Sequence, residues 1–289
     1  MNWDRLMRID RRVIFLCTAV VIMLPLIFPF ELPTGIQRPT RALFDTVDHI
    51  DRSKQCLMIC TDYVPQTEAE NQPMTVALLR HAFAARIPVL VAAMYIEGAG
   101  LPRDAILKTM AEFNARARTS ADSIKYGRDV DFLGWQPPPI VPILGMGKSI
   151  AESYPVDFEG MKTDSLPIMR HIHNYDQVGI LCSISAGPMP GTFVAYAETK
   201  FGVRIGAGVT AVSVPDLYPL FEKTHQLAGL MGGMKGASEY EFLVKQKYGV
   251  GGRMRATEGM GAQSAAHLMI IAFVVIGNVA YFAGRRKKS

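Results

Sequence analysis

The sequence predicts an α/β protein: a Rossmann-like three-layer domain with a mostly parallel sheet, flanked by one N-terminal and one C-terminal transmembrane helix. Two observations lead to this class. Two long apolar segments lie near opposite ends of the 289-residue chain, and between them short apolar runs alternate with segments of helix length. Apolar strands separated by helices are typical of a parallel sheet that is covered on both faces.

Residues 13–30 form the first apolar segment, which has no charged side chain. As a helix this stretch measures about 27 Å, close to the hydrocarbon thickness of a bilayer. The run is longer than the core of a signal peptide and no A-x-A-like cleavage site follows it, so we expect an uncleaved membrane anchor. Pro25 and Pro29 lie near its far end, where we expect a kink or unwinding.

Residues 264–284 form the second apolar segment, which also has no charged side chain. Buried core helices are usually shorter, so a second transmembrane helix is the better interpretation. Basic residues lie at the outer side of both segments: Arg5, Arg8, Arg11, Arg12, Arg285, Arg286, Lys287 and Lys288. The positive-inside rule therefore places both termini in the cytoplasm and the main domain outside it, in the periplasm if the protein is bacterial.

The net charge is concentrated in the two tails. The chain has 31 Lys and Arg residues against 26 Asp and Glu residues, a formal net charge of +5. The tails hold eight of these basic residues and two of the acidic ones, which leaves 23 against 24 in the region between them. A nucleic-acid-binding domain needs a basic face. We therefore expect no nucleic acid as partner, but the lipid bilayer and other membrane subunits or a second copy of the chain.

The domain organisation follows from these segments and from local composition. We assign residues 1–12 to a cytoplasmic basic tail, 13–30 to the first transmembrane helix, 31–54 to a connector, 55–248 to the extracytoplasmic α/β domain, 249–263 to a Gly-rich linker, 264–284 to the second transmembrane helix and 285–289 to a cytoplasmic basic tail. Strands are predicted at residues 55–61, 88–96, 130–135, 140–144, 178–184 and 203–212, with about five of them in one sheet. Helices are predicted at residues 40–50, 73–86, 102–118, 149–154, 192–201, 215–223 and 237–248.

Polar residues follow two of the predicted strands. Asp62 and Tyr63 come directly after the first strand, and Ser185 and Gly187 come after the strand at residues 178–184. In an open α/β sheet, ligands bind at the carboxyl ends of the strands. These four residues are therefore candidates for ligand binding.

The segment around Ser185 approaches the nucleophile elbow G-x-S-x-G, with Ser183 in place of the first glycine. A hydrolase also needs an acid and a histidine, and Asp216 and His225 follow in the order Ser, Asp, His. Many sequences meet this order by chance. We therefore favour a tight structural turn closed by Ser185 and keep catalysis as the alternative.

Residues 229–238 are rich in glycine and precede a predicted helix, so Gly232, Gly233 and Lys235 are candidates for holding an anion. The phosphate-loop pattern G-x-x-x-x-G-K-[ST] is not met, because Gly236 follows the lysine and no apolar strand leads into the segment. Close backbone packing is the favoured interpretation, and we expect no cofactor.

His171 and His173 resemble an H-x-H metal pair, but a metal site needs three or four converging ligands, so we expect two solvent-facing histidines. Cys56 and Cys60 are too far apart along one strand to form a disulfide with each other. Cys182 can pair with one of them only if the two strands are neighbours. Three buried thiols are the favoured interpretation.

The second apolar segment contains one amide, Asn278. An amide that faces lipid is costly, so we expect Asn278 to contact another helix. Ala280 and Gly284 form a small-xxx-small pair on nearly the same face. The alternative is that Asn278 extends toward the nearby cytoplasmic interface.

The motifs do not add up to a complete catalytic set. We therefore expect a non-catalytic structural or assembly subunit of a larger membrane protein complex. Two alternatives stay open. One is a membrane-tethered serine hydrolase that uses Ser185, and the other is an extracytoplasmic domain that binds a small ligand or a peptide through Asp62, Ser185 and the Gly-rich segment.

Overall fold

The structure is a computed structural model that describes residues 10–28, 35–250 and 252–286. The chain divides into two compact units, Met1–Pro33 with Thr257–Ser289, and Thr34–Ala256. The second unit contains the sheet and the candidate site, and we refer to it as the α/β domain. The first unit contains the two apolar segments.

The α/β domain is built on one sheet of six parallel strands. The strands are β1 (Cys56–Thr61), β2 (Val89–Ala93), β3 (Val130–Trp135), β4 (Val178–Ser185), β5 (Ile205–Val209) and β6 (Leu227–Gly232). Their order across the sheet is β3-β2-β1-β4-β5-β6, the order of the doubly wound dinucleotide-binding fold. The predicted α/β class with a parallel sheet is thereby confirmed.

The chain forms eleven α-helices within the described residues, and those of the α/β domain cover both faces of the sheet. The eleven helices are α1 (Arg11–Ile27), α2 (Arg38–Asp48), α3 (Glu68–Ala85), α4 (Gly100–Asn114), α5 (Ile140–Met146), α6 (Ile150–Ser153), α7 (Met189–Phe193), α8 (Thr199–Phe201), α9 (Val214–Glu222), α10 (Gly233–Tyr248) and α11 (Arg255–Arg286). Buried side chains of α2, α3, α4 and α10 form one core with one face of the sheet. Those of α5, α6, α7 and α9 form a second core with the other face.

Two strand assignments made from the sequence were wrong. Residues 140–144, predicted as a strand, belong to α5. This apolar run is only five residues long, and such a run does not distinguish a strand from a short buried helix. Conversely, β6 leads directly into the Gly-rich segment, where no strand was expected. Its glycines lower its strand propensity, which hides it from sequence reasoning.

Helix α2 lies within the predicted connector but belongs to the α/β domain. Leu43, Phe44 and Val47 share one face of the helix and are buried. A Cβ atom on Gly229 of β6 would lie 2.3 Å from the backbone nitrogen of Leu43. Glycine at this position therefore allows the helix backbone to pack directly on the strand.

A buried polar network joins α2, α3 and α10. His81 is fully buried, with Nδ1 2.8 Å from Tyr240 Oη and Nε2 3.3 Å from Asp48 Oδ1. Its ring stacks on Phe44 at a centroid distance of 4.4 Å. Burial lowers the pKa of His81 to about 4, so the ring is neutral at neutral pH. The network satisfies the polar atoms of a core position and is structural.

The three cysteines of the domain are buried free thiols. Although β1 and β4 are neighbours, Cys56 and Cys60 point into one core and Cys182 into the other. Successive side chains of a strand alternate between the two faces of a sheet, so these thiols cannot meet across the strand pair. Burial raises the pKa of Cys56 to about 12, which keeps it protonated.

In the first unit, the N-terminal apolar segment forms helix α1, which has 17 residues. The helix continues through Pro25, and the Phe28 amide donates to the Leu24 carbonyl oxygen at 2.8 Å, so no unwinding occurs at Pro25. Pro29 lies outside the described residues. A transmembrane span at this end stays a prediction.

The C-terminal segment forms α11, which begins at Arg255 rather than at residue 264. Residues 255–263, assigned to the Gly-rich linker, are therefore helical. Within the described residues, Arg255–Phe282 is the one helix long and apolar enough to cross a membrane, with a mean hydropathy of 2.0 in its most apolar stretch. This supports membrane association. Four of the eight basic residues on which the predicted topology depends, Arg5, Arg8, Lys287 and Lys288, lie outside the described part of the chain.

The residues proposed for helix–helix contact all lie in α11. Asn278 is exposed, and its Nδ2 donates to the Val274 carbonyl oxygen at 2.9 Å within the same helix. This bond satisfies one amide proton locally, so no second helix is required for it. Ala280 is buried, as a contact position would be. Gly284 lies one turn further along the helix.

Candidate functional site at the carboxyl ends of the strands

The strand order brings Asp62 and Ser185 together. β1 lies between β2 and β4 in the sheet. Strands β1 to β3 follow one another toward one edge of the sheet and β4 to β6 toward the other, so the strand order reverses between β1 and β4. Thr61 pairs with Ile184 in the register, and the next residue of each strand is Asp62 and Ser185. Ligands of open α/β sheets bind at this switch point, outside the carboxyl ends of the strands.

Hydrogen bonds hold the serine hydroxyl in place. Ser185 Oγ donates to Asp62 Oδ2 at 2.8 Å and accepts from the Gly187 amide at 2.9 Å. Asn71 Nδ2, in the first turn of α3, donates to the Ser185 carbonyl oxygen at 2.9 Å. The turn after β4 is thus closed by its own serine, in agreement with the structural interpretation favoured from the sequence.

Burial changes the ionisation of Asp62. The residue is 7% exposed, and burial raises the pKa of its carboxyl to about 7, against the opposing effect of the Ser185 hydroxyl. Among the residues that the structure describes, Asp62 Oδ1 and Asn71 Oδ1 are buried with no hydrogen-bond partner. The switch point therefore contains two buried acceptor atoms to which no described residue donates a hydrogen bond.

The structure does not assemble the hydrolase triad. His225 precedes β6, at the amino edge of the sheet, whereas Ser185 ends β4 at the carboxyl edge. The His225 ring lies with Nδ1 3.1 Å from the Phe221 carbonyl oxygen, and Asp216 is exposed on α9. Ser185 itself is fully buried. A general base must be within hydrogen-bond reach of the nucleophile, and His225 is not.

Tyr63 does not contribute to the strand-end surface. Its side chain is 1% exposed, and its hydroxyl bonds to Gln72 and lies 3.1 Å from Thr75 Oγ1. Side chains alternate along a strand, so Tyr63 enters the core opposite to that of Asp62. It is a core residue rather than a ligand-binding one.

The Gly-rich residues pack closely against their neighbours. A Cβ atom on Gly232 would lie 2.5 Å from Val214 Cγ2, and one on Gly233 would lie 2.8 Å from Ala211 Cβ. Gly233 also has a φ of 58°, which favours glycine. Lys235 forms an ion pair with Glu239 one turn along α10. The lysine is thus already paired, and the geometry favours packing over an anion site.

The histidine pair faces solvent. His171 and His173 are both exposed, and Ile172 between them is buried. In the described ranges of the chain, no group of three His, Cys, Asp or Glu side chains is arranged to hold a metal ion.

Sequence reasoning missed two residues of the switch point. Asn71 was expected to cap a helix beginning at Pro73, but α3 begins at Glu68, which places Asn71 inside its first turns. Glu70 Oε2 accepts from the Ala211 amide at 2.9 Å and so connects α3 to the end of β5. The signal was present as an acidic and amide-bearing stretch directly after the loop that follows β1.

The fold and the strand ends define the class: a parallel α/β domain with a buried acid–serine pair at its switch point and an apolar C-terminal helix. No protein-family model, curated protein or solved structure gives a significant match to the chain.

We expect Ser185→Ala to destabilise the protein by about 1–3 kcal/mol, because it removes a hydrogen bond to a buried carboxyl. The loss should be larger at pH 8 than at pH 5. Asp62 has a raised pKa, so the folded state becomes less stable as pH rises from about 4 to 7, and without the serine hydroxyl its carboxylate is harder still to bury. Urea unfolding at the two pH values measures both effects.

The matched control is Ser183→Ala on the same strand. Ser183 Oγ is buried and has no hydrogen-bond partner within the described residues, so its removal should be neutral or slightly stabilising. Equal losses for the two variants, or a loss for Ser185→Ala that does not depend on pH, would contradict the role given to the Asp62–Ser185 bond.

Proposed function

We propose that the chain is a membrane-anchored, non-catalytic subunit of a larger membrane protein complex, with its α/β domain outside the cytoplasm. The observation that carries the proposal is helix α11. It continues directly from the domain, and its large apolar side chains are exposed, with Leu268 at 69% and Phe282 at 62%. Contiguous apolar surface of this extent belongs in a bilayer or against another protein.

Helix α1 supports a second anchor. Its apolar side chains are also exposed, with Phe15 at 67% and Leu16 at 65%. Two anchors with cytoplasmic tails would place the domain between them on the opposite side of the membrane. The domain's balanced charge suits an extracytoplasmic compartment, where it would meet neither nucleic acid nor nucleotides in quantity.

Both chain ends of the α/β domain are hydrogen-bonded to one helix, α10. The Gln37 amide, just before α2, donates to Glu239 Oε2 at 3.1 Å, and the Ala256 amide donates to Glu241 Oε1 at 3.3 Å. Both glutamates lie on α10 and are buried. Chain ends that are fixed to the domain in this way suit a subunit with a structural role.

The strand ends also favour a non-catalytic role. The one serine in an elbow-like position is buried and hydrogen-bonded to Asp62, and no histidine approaches it among the described contacts. A nucleophile needs both access and an activating base. The Ser185 hydroxyl has neither.

Native mass spectrometry of the protein extracted from its own membrane in mild detergent tests the proposal. We expect a mass above that of one chain, with at least one co-purifying subunit or a second copy. Alkaline carbonate washing should leave the protein in the membrane pellet. A monomer with no partner, or release of the protein by carbonate, would overturn the proposal.

Ligand binding is a second candidate, favoured by the two unused acceptor atoms, Asp62 Oδ1 and Asn71 Oδ1. Buried polar atoms normally have partners, and a ligand at the switch point would supply them. Ligand-shaped density at these strand ends, in a structure of protein purified from its native membrane, would support this function. A filled switch point with no ligand in such a structure would remove it.

A further inference from the structure

The carboxyl edge of the sheet is acidic around β1 and β2. The loops that follow β1 to β5 and the first turn of α3 contain Asp62, Glu68, Glu70 and Glu97, and no Lys, Arg or His. Arg103 and Lys235 are already paired with Glu159 and Glu239. Lys148 lies at the β3 end of this edge, where it lines a cleft with Gln136 and Pro137. Doubly wound folds that bind phosphate present helix N-termini and glycines here. This edge has the opposite charge and would repel a phosphate, a nucleic acid or an acidic lipid headgroup.

The same edge exposes large apolar side chains. Val212, after β5, is 85% exposed, and Ile96, after β2, is 58% exposed. Tyr95 beside it is 41% exposed. Large exposed apolar side chains among polar ones are typical of surfaces that bind another protein. A small amine would not cover them, whereas a peptide segment would.

The centre of this edge has acceptor atoms with no donor. Asp62 and Asn71 are each more than nine-tenths buried, and Asp62 Oδ1 and Asn71 Oδ1 have no partner in the part of the chain that the structure describes. The Cβ direction of Gly187 is open except for Asp62 Oδ2 at 3.9 Å. Acceptors in an acidic setting match the N–H donors of an ammonium or guanidinium group.

We infer that the acidic carboxyl edge of the sheet is the docking surface for a partner protein, and that it takes a segment of that partner in which a lysine or arginine is flanked by apolar residues. The inference rests on the proposed function, because it names the face through which the subunit binds its complex. The basic side chain is directed at Asp62 Oδ1 and Asn71 Oδ1, with Glu68, Glu70 and Glu97 at the rim, and its apolar neighbours contact Tyr95, Ile96 and Val212.

Site-specific photo-crosslinking of the full-length protein in its native membrane tests this. A photoreactive amino acid replaces Val212, and a control replaces Tyr218, which is exposed on α9 away from the strand-end loops. We expect Val212 to cross-link to a partner peptide that contains Lys or Arg. An oligolysine peptide should compete for the cross-link and an oligoglutamate peptide should not.

Charge neutralisation provides the second arm. Combining Glu68→Gln, Glu70→Gln and Glu97→Gln keeps side-chain size, and the amide oxygen introduced by Glu70→Gln can still accept from the Ala211 amide. We expect the cross-link yield to fall roughly tenfold as three charges at the rim are lost. The control combination, Asp45→Asn, Asp164→Asn and Asp176→Asn, changes three exposed acids outside the strand-end loops and should leave the yield unchanged.

The outcomes separate this inference from the proposed function. If native mass spectrometry shows a complex but Val212 cross-links to lipid, to a segment without Lys or Arg, or to nothing, the inference is overturned and the proposed function stands. A yield insensitive to the Glu-to-Gln changes overturns it equally. If native mass spectrometry shows no complex, the proposed function fails, and the inference fails with it. This result does not depend on the cross-linking experiment.

Discussion

Gly229→Ala is expected to destabilise the α/β domain by about 3 kcal/mol, near the upper end for an overpacked core position. The added methyl group would lie within 2.5 Å of the backbone nitrogen, Cα and Cβ of Leu43. These atoms belong to α2 and cannot rotate away, so the whole helix must shift off β6. Urea unfolding of the full-length protein in detergent, monitored by circular dichroism, measures the decrease in the free energy of unfolding.

Gly100→Ala is the matched control. Gly100 begins α4, and a Cβ atom there would meet no atom within 4 Å. Alanine has the higher helix propensity, so this variant should be unchanged or more stable by up to about 1 kcal/mol. Similar losses for the two variants would show that α2 does not pack on β6 as described.

Asp131→Asn is expected to stabilise the protein by up to about 5 kcal/mol at pH 8 and to have little effect at pH 4, since the pKa is raised by about four units and each unit corresponds to about 1.4 kcal/mol. Asp131 is fully buried on β3, and within the described residues neither of its carboxyl oxygens has a hydrogen-bond partner. Burial first, and then the neighbouring Asp157 and Glu159, raise the pKa of Asp131 to about 8.

The sign of the pH dependence follows from this raised pKa. The folded protein keeps a proton on Asp131 that the unfolded chain releases above about pH 4, so stability falls as pH rises from about 4 to 8. Asparagine has no proton to release, and its amide can donate to Asp157 Oδ2, which also lacks a partner among the described residues. The variant should therefore show a flatter profile over this range.

Unfolding free energies measured at several pH values between 4 and 8 check this expectation. The exposed Asp164→Asn variant serves as the control for loss of one carboxyl and should change stability by less than about 0.5 kcal/mol. If Asp131→Asn and the unmodified protein lose stability in parallel as pH rises, Asp131 is not the group that holds the proton.

The sequence predicted five of the six strands because each is a short run of apolar residues between turn-forming residues. It missed β6 because the glycines of this strand make room for distant elements, Gly229 for the backbone of Leu43 in α2 and Gly232 for Val214. It placed a strand where α5 lies, because five apolar residues suit either structure. The pattern of neighbouring residues identifies a strand whose two faces are both buried. It fails where contact with a distant element determines which residue a position needs.

The candidate site was predicted in part for a similar reason. Asp62 and Ser185 both follow buried strands, which placed them at one edge of the sheet. They are 123 residues apart, and only the strand order makes β1 and β4 neighbours. Asn71 was seen only as a helix cap, because its bond to the Ser185 carbonyl oxygen depends on where α3 crosses the edge.

The sequence by itself determined the class of the domain, the two apolar segments and the location of the positive charge in the tails, because hydrophobicity and charge are properties of local composition. Only the tertiary structure decided which polar residues meet. It paired Ser185 with Asp62, left His225 at the opposite edge and directed Cys60 and Cys182 into different cores. These outcomes depend on strand order and on the alternation of side chains across the sheet, which relate residues far apart in the chain.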